Sequence, residues 1–228
     1  MNQPMAMKGN LGKTILQIGA QFGDPATAIW EYIINSLEYR DSPDGCRIYV
    51  NISKNKVEIS DNSSGMNDAI LKNFFTVSAE NAARKGQQAS WLRRGMYGTG
   101  KLAAFGIADE LIVETSHQGI KNSYKLSRDA LKNAPEDANE IPVDPLIVNQ
   151  KTNDINGTKI FINNLNVKVK PNDLIRKIER EISHMRGYDI QIAVNNHICE
   201  FKDLDIINSY TFQSDGPIKN RYGDFELK

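Results

Sequence analysis

The 228-residue chain is 40% hydrophobic and 25% charged, with 28 Lys and Arg against 28 Asp and Glu. Such a composition can bury a sizeable core, and a formal net charge of zero excludes a whole-molecule attraction to nucleic acid or membrane, leaving only a local patch. Cys46 and Cys199 lack the spacing of a disulfide framework or structural zinc site. With no basic-then-apolar leader and no apolar run of ~18 residues, a cytoplasmic location (nuclear in a eukaryote) and no membrane partner are expected.

Residues 1–10 read as an arm. Leu11, Ile15, Ile18 and Phe22 fall at helical spacing and predict a short helix, broken at Gly23-Asp24-Pro25. Pro25 then suits the first turn of the next helix, where its missing N–H does no harm. Within AIWEYIINSLEY (Ala28 to Tyr39), Ile29, Trp30, Ile33, Ile34 and Leu37 share an arc of about 140°, with Glu31, Asn35 and Glu38 outside it. Glu31 and Asn35 therefore project side by side, one turn apart. Taken alone, this pair reads as a solvated helix edge, because polar i, i+4 pairs are common.

Ser42-Pro43-Asp44-Gly45 is a turn, and CRIYVNI with KVEIS forms a hairpin around Lys54-Asn55 that runs into Asp61-Asn62-Ser63-Ser64-Gly65-Met66. From Asn67 to Arg94 a helix carrying Ile70, Leu71, Phe74 and Phe75 gives way to polar sequence, a connection long enough to be functional. GMYGTG (Gly95 to Gly100) precedes a helix start in KLAAFGIAD, and DELIVETS with NSYKLS predicts a second hairpin with His117 in its turn. Residues 128–156, with Pro135, Pro142 and Pro145, read as an irregular insertion. GTKIFI is a strand, Asn172 to Met185 a helix capped by Asn172 or Asp173, and YDIQIAV with HICEFKD a hairpin around Asn195-Asn196. The alternation predicts an α/β (α+β) sandwich, its mixed, mostly antiparallel sheet covered by helices on one face. The expected organisation is an arm and short helix over 1–23, a core domain over 24–202, and an extension over 203–228 that starts a following domain.

Gly95, Gly100 and Lys101 have the P-loop spacing, but Leu102 stands where that loop needs a magnesium-binding hydroxyl, and SWLRR is no preceding buried strand. Gly12-Lys13-Thr14 fails too, because the required earlier glycine is Met7. The three glycines Gly95, Gly98 and Gly100 instead allow close approach of backbone to a ligand, and the helix after them offers free N–H groups to a polyphosphate. Asp61, at a strand end, is an acceptor suited to an amino group; by itself it reads as a turn or cap, as Thr158 does.

In order, Glu31-x-x-x-Asn35, DNSSGM, a long connection, a glycine-rich turn and a late GT strand resemble the GHKL ATPase superfamily of gyrase B, the ninety-kilodalton heat-shock chaperones, histidine kinases and MutL. The resemblance covers roughly Asp24 to Val194; WEYIINSLEY is similar to the MutL, chaperone and MORC form of the first motif, and RGMYGTGKLAAFGIAD to the chaperone and MORC form of the glycine loop. It implies a Bergerat-type ATP-binding fold in which Asn35 ligates Mg²⁺ and Glu31 is the general base. Asp61 would bind the adenine amino group, with Gly65, Met66 and Thr158 completing the base pocket. Gly95, Gly98, Thr99 and Gly100 would wrap the phosphates, Lys101 would add a point charge, and Asn73 would lie on the ribose side. Ser63 departs from the family by replacing the first glycine of the DxGxG box.

The implied activity is slow, Mg²⁺-dependent ATP hydrolysis driving closure of 67–94 and ATP-dependent homodimerisation, with a client protein or DNA unidentified. One alternative is a histidine-kinase-type phosphotransferase, for which His184 in IEREISHM is the helical candidate. Another is a nucleotide sensor that does not hydrolyse.

Overall fold

The computed structural model describes residues 9–38, 45–77, 98–185 and 187–202. The expected arm, Gly95, the connection beyond Val77, the side chain of His184 and the extension 203–228 lie outside the described residues.

Eight strands form one sheet in the order β5-β4-β3-β6-β2-β1-β7-β8. They are β1 (Cys46–Ile52), β2 (Lys56–Asp61), β3 (Ala108–His117), β4 (Ile120–Ser127), β5 (Asp144–Lys151), β6 (Gly157–Leu165), β7 (Ile190–Val194) and β8 (His197–Ile198). Only β1 and β7 pair in parallel; the other pairings are antiparallel, so the sheet is mixed and mostly antiparallel as expected. Alternation sets the buried face: Ile48 and Val50, Val57 and Ile59, Leu111 and Val113, and Ile160 and Ile162 point inward from adjacent strands.

Six helices accompany the sheet among the described residues: α1 (Leu11–Ala20), α2 (Pro25–Glu38), α3 (Asp68–Phe75), α4 (Ala104–Ile107), α5 (Arg128–Lys132) and α6 (Pro171–Ile182). The middle of the layer is α2. Asp24 starts it by accepting from the Thr27 amide at 2.8 Å, and Pro25 takes the first position. Its five apolar residues Ile29, Trp30, Ile33, Ile34 and Leu37 are all buried, as the wheel predicts, each stabilising the fold by about 1.5–3 kcal/mol. Tyr32 and Ser36, one turn apart at the edge of that arc, are buried as well. The helix is thus enclosed around most of its circumference, and Glu31, Asn35 and Glu38 keep only a half-buried edge.

Three expectations are corrected. The segment 128–156 is not an irregular insertion: it contains α5 and then β5, the sheet's outer strand. Pro145 is compatible with a strand there because an outermost strand has one side without ladder bonds. The late helix begins one residue earlier than expected, with Pro171 first, and its N-cap is Lys170 without a side-chain bond, not Asn172 or Asp173; it ends at Ile182 and tightens into a 3-10 turn over Ser183–Met185. His117 closes β3 instead of occupying the turn, which is made by Gln118 and Gly119. The last hairpin turns at Asn195 and Asn196, both with positive φ, as a tight two-residue turn requires.

Candidate functional site

The site lies where the half-buried edge of α2 meets three segments that the sequence separates widely. At one end is the carboxyl-terminal residue of β2, Asp61. Its Oδ1 accepts from the Ser63 amide at 3.0 Å, the Ser63 hydroxyl at 2.6 Å and the Thr158 amide at 3.0 Å, while its Oδ2 accepts from the Ser36 hydroxyl at 2.6 Å. A carboxylate offers about four acceptor positions. Four donors, one from α2, two from its own loop and one from β6, therefore hold this group fixed, three on Oδ1 and one on Oδ2, so that Oδ2 is the less engaged oxygen.

The loop after Asp61 is pinned onto β3. Met66 donates its amide to the Thr115 hydroxyl at 2.7 Å, and that hydroxyl donates to the Gly157 carbonyl at 3.2 Å, so Thr115 joins the DNSSGM loop to the start of the GT strand. His117 Nδ1 lies 2.8 Å from the Ser64 carbonyl and is the donor in that contact. Gly65 is required here on two counts: its φ is +71°, and a Cβ would stand 2.1 Å from the Ser116 carbonyl oxygen.

At the other end of the α2 edge is the glycine-rich turn. Gly98 and Thr99 lead into a 3-10 turn, Gly100–Leu102, followed by α4. Gly100 sits directly on the Glu31 side chain: a Cβ there would be 2.2 Å from Glu31 Oε2. The turn is fastened to α2 by Tyr32, whose hydroxyl donates to the Lys101 carbonyl at 2.8 Å and accepts from the Ala104 amide at 3.1 Å. Burial pushes the Tyr32 phenol well above its ordinary range, so it stays protonated and keeps the first of these bonds.

Lys101 extends to α3. Its ammonium donates to the carbonyls of Asn73, at 2.9 Å, and Thr76, at 2.5 Å, and burial lowers its pKa to about 8. Asn73 is thereby tied to the glycine-rich turn through its backbone.

The structure thus bonds Asp61 to Ser36 of α2 and to the Thr158 amide, seats Gly100 on Glu31 of the same helix, and pins Gly65 and Met66 against β3; Asn35 lies on the helix edge of Glu31, and Gly98 and Thr99 lead into Gly100. Sequence reasoning missed Ser36, Thr115 and Tyr32, small or aromatic polar residues inside helix and strand patterns. Ser36 and Tyr32 carry one available signal: they sit i, i+4 on α2, bordering Glu31 and Asn35.

A helix edge bearing a carboxylate and an amide, a glycine-rich turn packed on that carboxylate, and a strand-end Asp fixed by four donors define an ATP-binding α/β sandwich of the Bergerat type. The family described as "Histidine kinase-, DNA gyrase B-, and HSP90-like ATPase" matches residues 24–159. The chain belongs to this family. Among solved structures it is similar to the ATPase region of Saccharomyces cerevisiae topoisomerase II, with a TM-score of 0.53 and 18% identity over 76% of this chain and 48% of that one. The same region bound to ICRF-187 (dexrazoxane) gives the same values. At that identity the likeness is one of fold, and the chain spans about half the length of those chains, 48%. No individually curated protein matches the sequence.

The donor set is compatible with Mg²⁺. Among the described residues no group of three or more His, Cys, Asp and Glu side chains could hold a metal ion unaided. Mg²⁺ typically keeps several waters and takes one or two protein oxygens together with substrate phosphates, a demand that the Asn35 amide, one turn along α2 from Glu31, can meet.

Proposed function

We propose that this chain binds ATP with Mg²⁺ and hydrolyses it slowly, as a conformational switch. The observation that carries this reading is the seating of Gly100 on the Glu31 carboxylate at one end of the α2 edge, while Ser36, five residues further along the helix, fixes Asp61 at the other. One rigid helix, rising about 1.5 Å per residue, thereby sets the separation between a base-reading acceptor and a water-activating carboxylate.

In this reading Asp61 Oδ2 accepts from the adenine amino group, and Gly65, Met66 and Thr158 shape the pocket around the ring. The backbone of Gly98, Thr99 and Gly100, with Gly95 before them, surrounds the phosphates, and Asn73 lies on the ribose side. Asn35 holds Mg²⁺, which when bound neutralises charge on the phosphate oxygens. Glu31 orients a water and accepts its proton, a role that requires a carboxylate within hydrogen-bond reach of that water. The rate gain comes mainly from positioning and electrostatics.

The finer proposals follow from the sequence. Closure of 67–94, ATP-dependent homodimerisation, a core domain over 24–202, and a chaperone, MutL or MORC-like branch are supported by the Glu31-x-x-x-Asn35 spacing and by RGMYGTGKLAAFGIAD. A protein or DNA client and a cytoplasmic or nuclear setting belong to the same proposal.

Calorimetric titration with β,γ-imido-ATP, with and without Mg²⁺, tests the binding half. Glu31→Ala tests the chemistry: it should retain analogue affinity within about threefold and lose hydrolysis by ~10² or more. Unchanged turnover removes Glu31 from the role of base. Asn35→Ala should abolish the Mg²⁺ dependence of affinity.

A further inference from the structure

We infer that Lys101 couples the phosphate end of the site to the last turn of α3, its ammonium holding that turn until phosphate oxygens draw it away. The inference rests on the nucleotide-binding reading above and adds to it a regulated element.

One end of the coupling is rigid. The Lys101 backbone belongs to the 3-10 turn that begins at Gly100, where Leu102 donates to the Thr99 carbonyl at 2.9 Å and Ala103 to the Gly100 carbonyl at 3.0 Å. The buried Tyr32 hydroxyl bonds the Lys101 carbonyl from α2, one residue from Glu31. The Lys101 Cα is therefore anchored beside the carboxylate assigned to the hydrolytic water.

The other end is free to exchange partners. A four-carbon stem carries the ammonium to the Asn73 and Thr76 carbonyls. These belong to the carbonyls that a helix terminus leaves without intrahelical donors, and a cation there is favoured by the helix dipole. The Asn73 carbonyl also accepts from the Thr76 amide at 3.2 Å, and the Thr76 hydroxyl donates to the Lys72 carbonyl at 2.9 Å. The turn has weak internal closure, and Lys101 is the charged group that secures it.

Both acceptors are neutral carbonyls. Charge-assisted bonds to anionic oxygens are roughly twice as strong as neutral ones, and burial already disfavours this ammonium where it sits. A polyphosphate cradled by Gly98 to Gly100 places such oxygens next to the anchored Cα. The ammonium then moves to the phosphates, and the Asn73–Thr76 turn loses its cationic cap. The exchange involves no bond making or breaking beyond hydrogen bonds.

Hydrogen–deuterium exchange of the full chain, read on peptides covering 68–77, tests this with wild type, Lys101→Met and Lys101→Gln. Without nucleotide, Lys101→Met should exchange about tenfold faster in that turn, Lys101→Gln should fall between it and wild type, and β3 and β6 peptides should not change. Adding β,γ-imido-ATP and Mg²⁺ should accelerate the same peptide in wild type and add nothing in Lys101→Met. Equal nucleotide-free rates in wild type and Lys101→Met overturn the inference, as does protection gained by wild type on adding the analogue. A parallel calorimetric titration separates the two failures. Absence of analogue binding defeats the nucleotide reading and the release step together, whereas normal binding with an unresponsive turn defeats the coupling alone.

Discussion

Gly100→Ala isolates the contact between the glycine-rich turn and Glu31. Gly100 does not need a positive φ, so alanine suits its backbone, and the new Cβ meets Glu31 first: 2.2 Å to Oε2, 3.2 Å to Cδ and 3.3 Å to Cβ. Restoring an ordinary contact requires the carboxylate oxygen to retreat by about 1 Å. The atom that must move is the far end of a flexible side chain, so the fold should yield easily. Replacing glycine by alanine at a compatible position stabilises by about 0.4–1 kcal/mol through the unfolded state, which roughly offsets the strain. The chemistry is less tolerant. A displacement of about 1 Å at a reacting group costs ~10²-fold, or about 2.7 kcal/mol of transition-state stabilisation. The expected result is a melting temperature within a few degrees of wild type, analogue affinity within about threefold, and ATP turnover down ~10²-fold. Glu31→Ala combined with Gly100→Ala should be no slower than Glu31→Ala alone, because both changes act through one carboxylate. Turnover equal to wild type in Gly100→Ala, or full additivity in the double variant, would refute the reasoning.

Ser63→Gly removes the 2.6 Å hydroxyl bond to Asp61 Oδ1 but keeps the Ser63 amide. A lost bond to a charged group costs about 1.5–3 kcal/mol, so adenine-nucleotide affinity should fall about tenfold or more in calorimetry; affinity equal to wild type would show that the hydroxyl does not position the carboxylate. Glu179 on α6 gives a pH prediction. Burial raises its pKa, but the Lys202 ammonium, the Glu200 amide and His197 outweigh this and leave the carboxyl below its ordinary value. A carboxyl depressed in the folded state stabilises above its unfolded pKa, and that stability is lost as pH falls through the folded value. Urea unfolding should therefore show wild type losing more stability than Glu179→Gln between pH 6 and pH 3, and parallel pH curves would contradict the assignment.

The parts of this molecule that sequence made legible are those where residue type and spacing have few physical meanings. The period of AIWEYIINSLEY admits one buried arc, and all five residues of that arc are buried. Asn195-Asn196 between two apolar runs admits a tight turn, and both residues have positive φ. Proline misled where its meaning depends on position in the sheet. Pro142 and Pro145 made 128–156 read as irregular, yet an outermost strand tolerates a missing donor, and only the sheet order places β5 there. Pro171 shifted the start of α6 because a first-turn proline competes with Asn172 and Asp173 for the helix start.

The site follows the same division. Glu31, Asn35 and Asp61 are polar groups at positions that hydrophobic periodicity leaves over, and they stand out. Ser36, Thr115 and Tyr32 sit inside regular helix and strand patterns, where a small hydroxyl or a phenol reads as filling. Their partners are 25, 42 and 69 residues away, beyond any local pattern. Ser63 shows why both levels are needed. As sequence it is a substitution in a glycine box; in the fold, its hydroxyl and amide supply half of the donors that hold Asp61. A glycine there would leave one of these bonds to water. The departure from the family pattern therefore makes the carboxylate more firmly held.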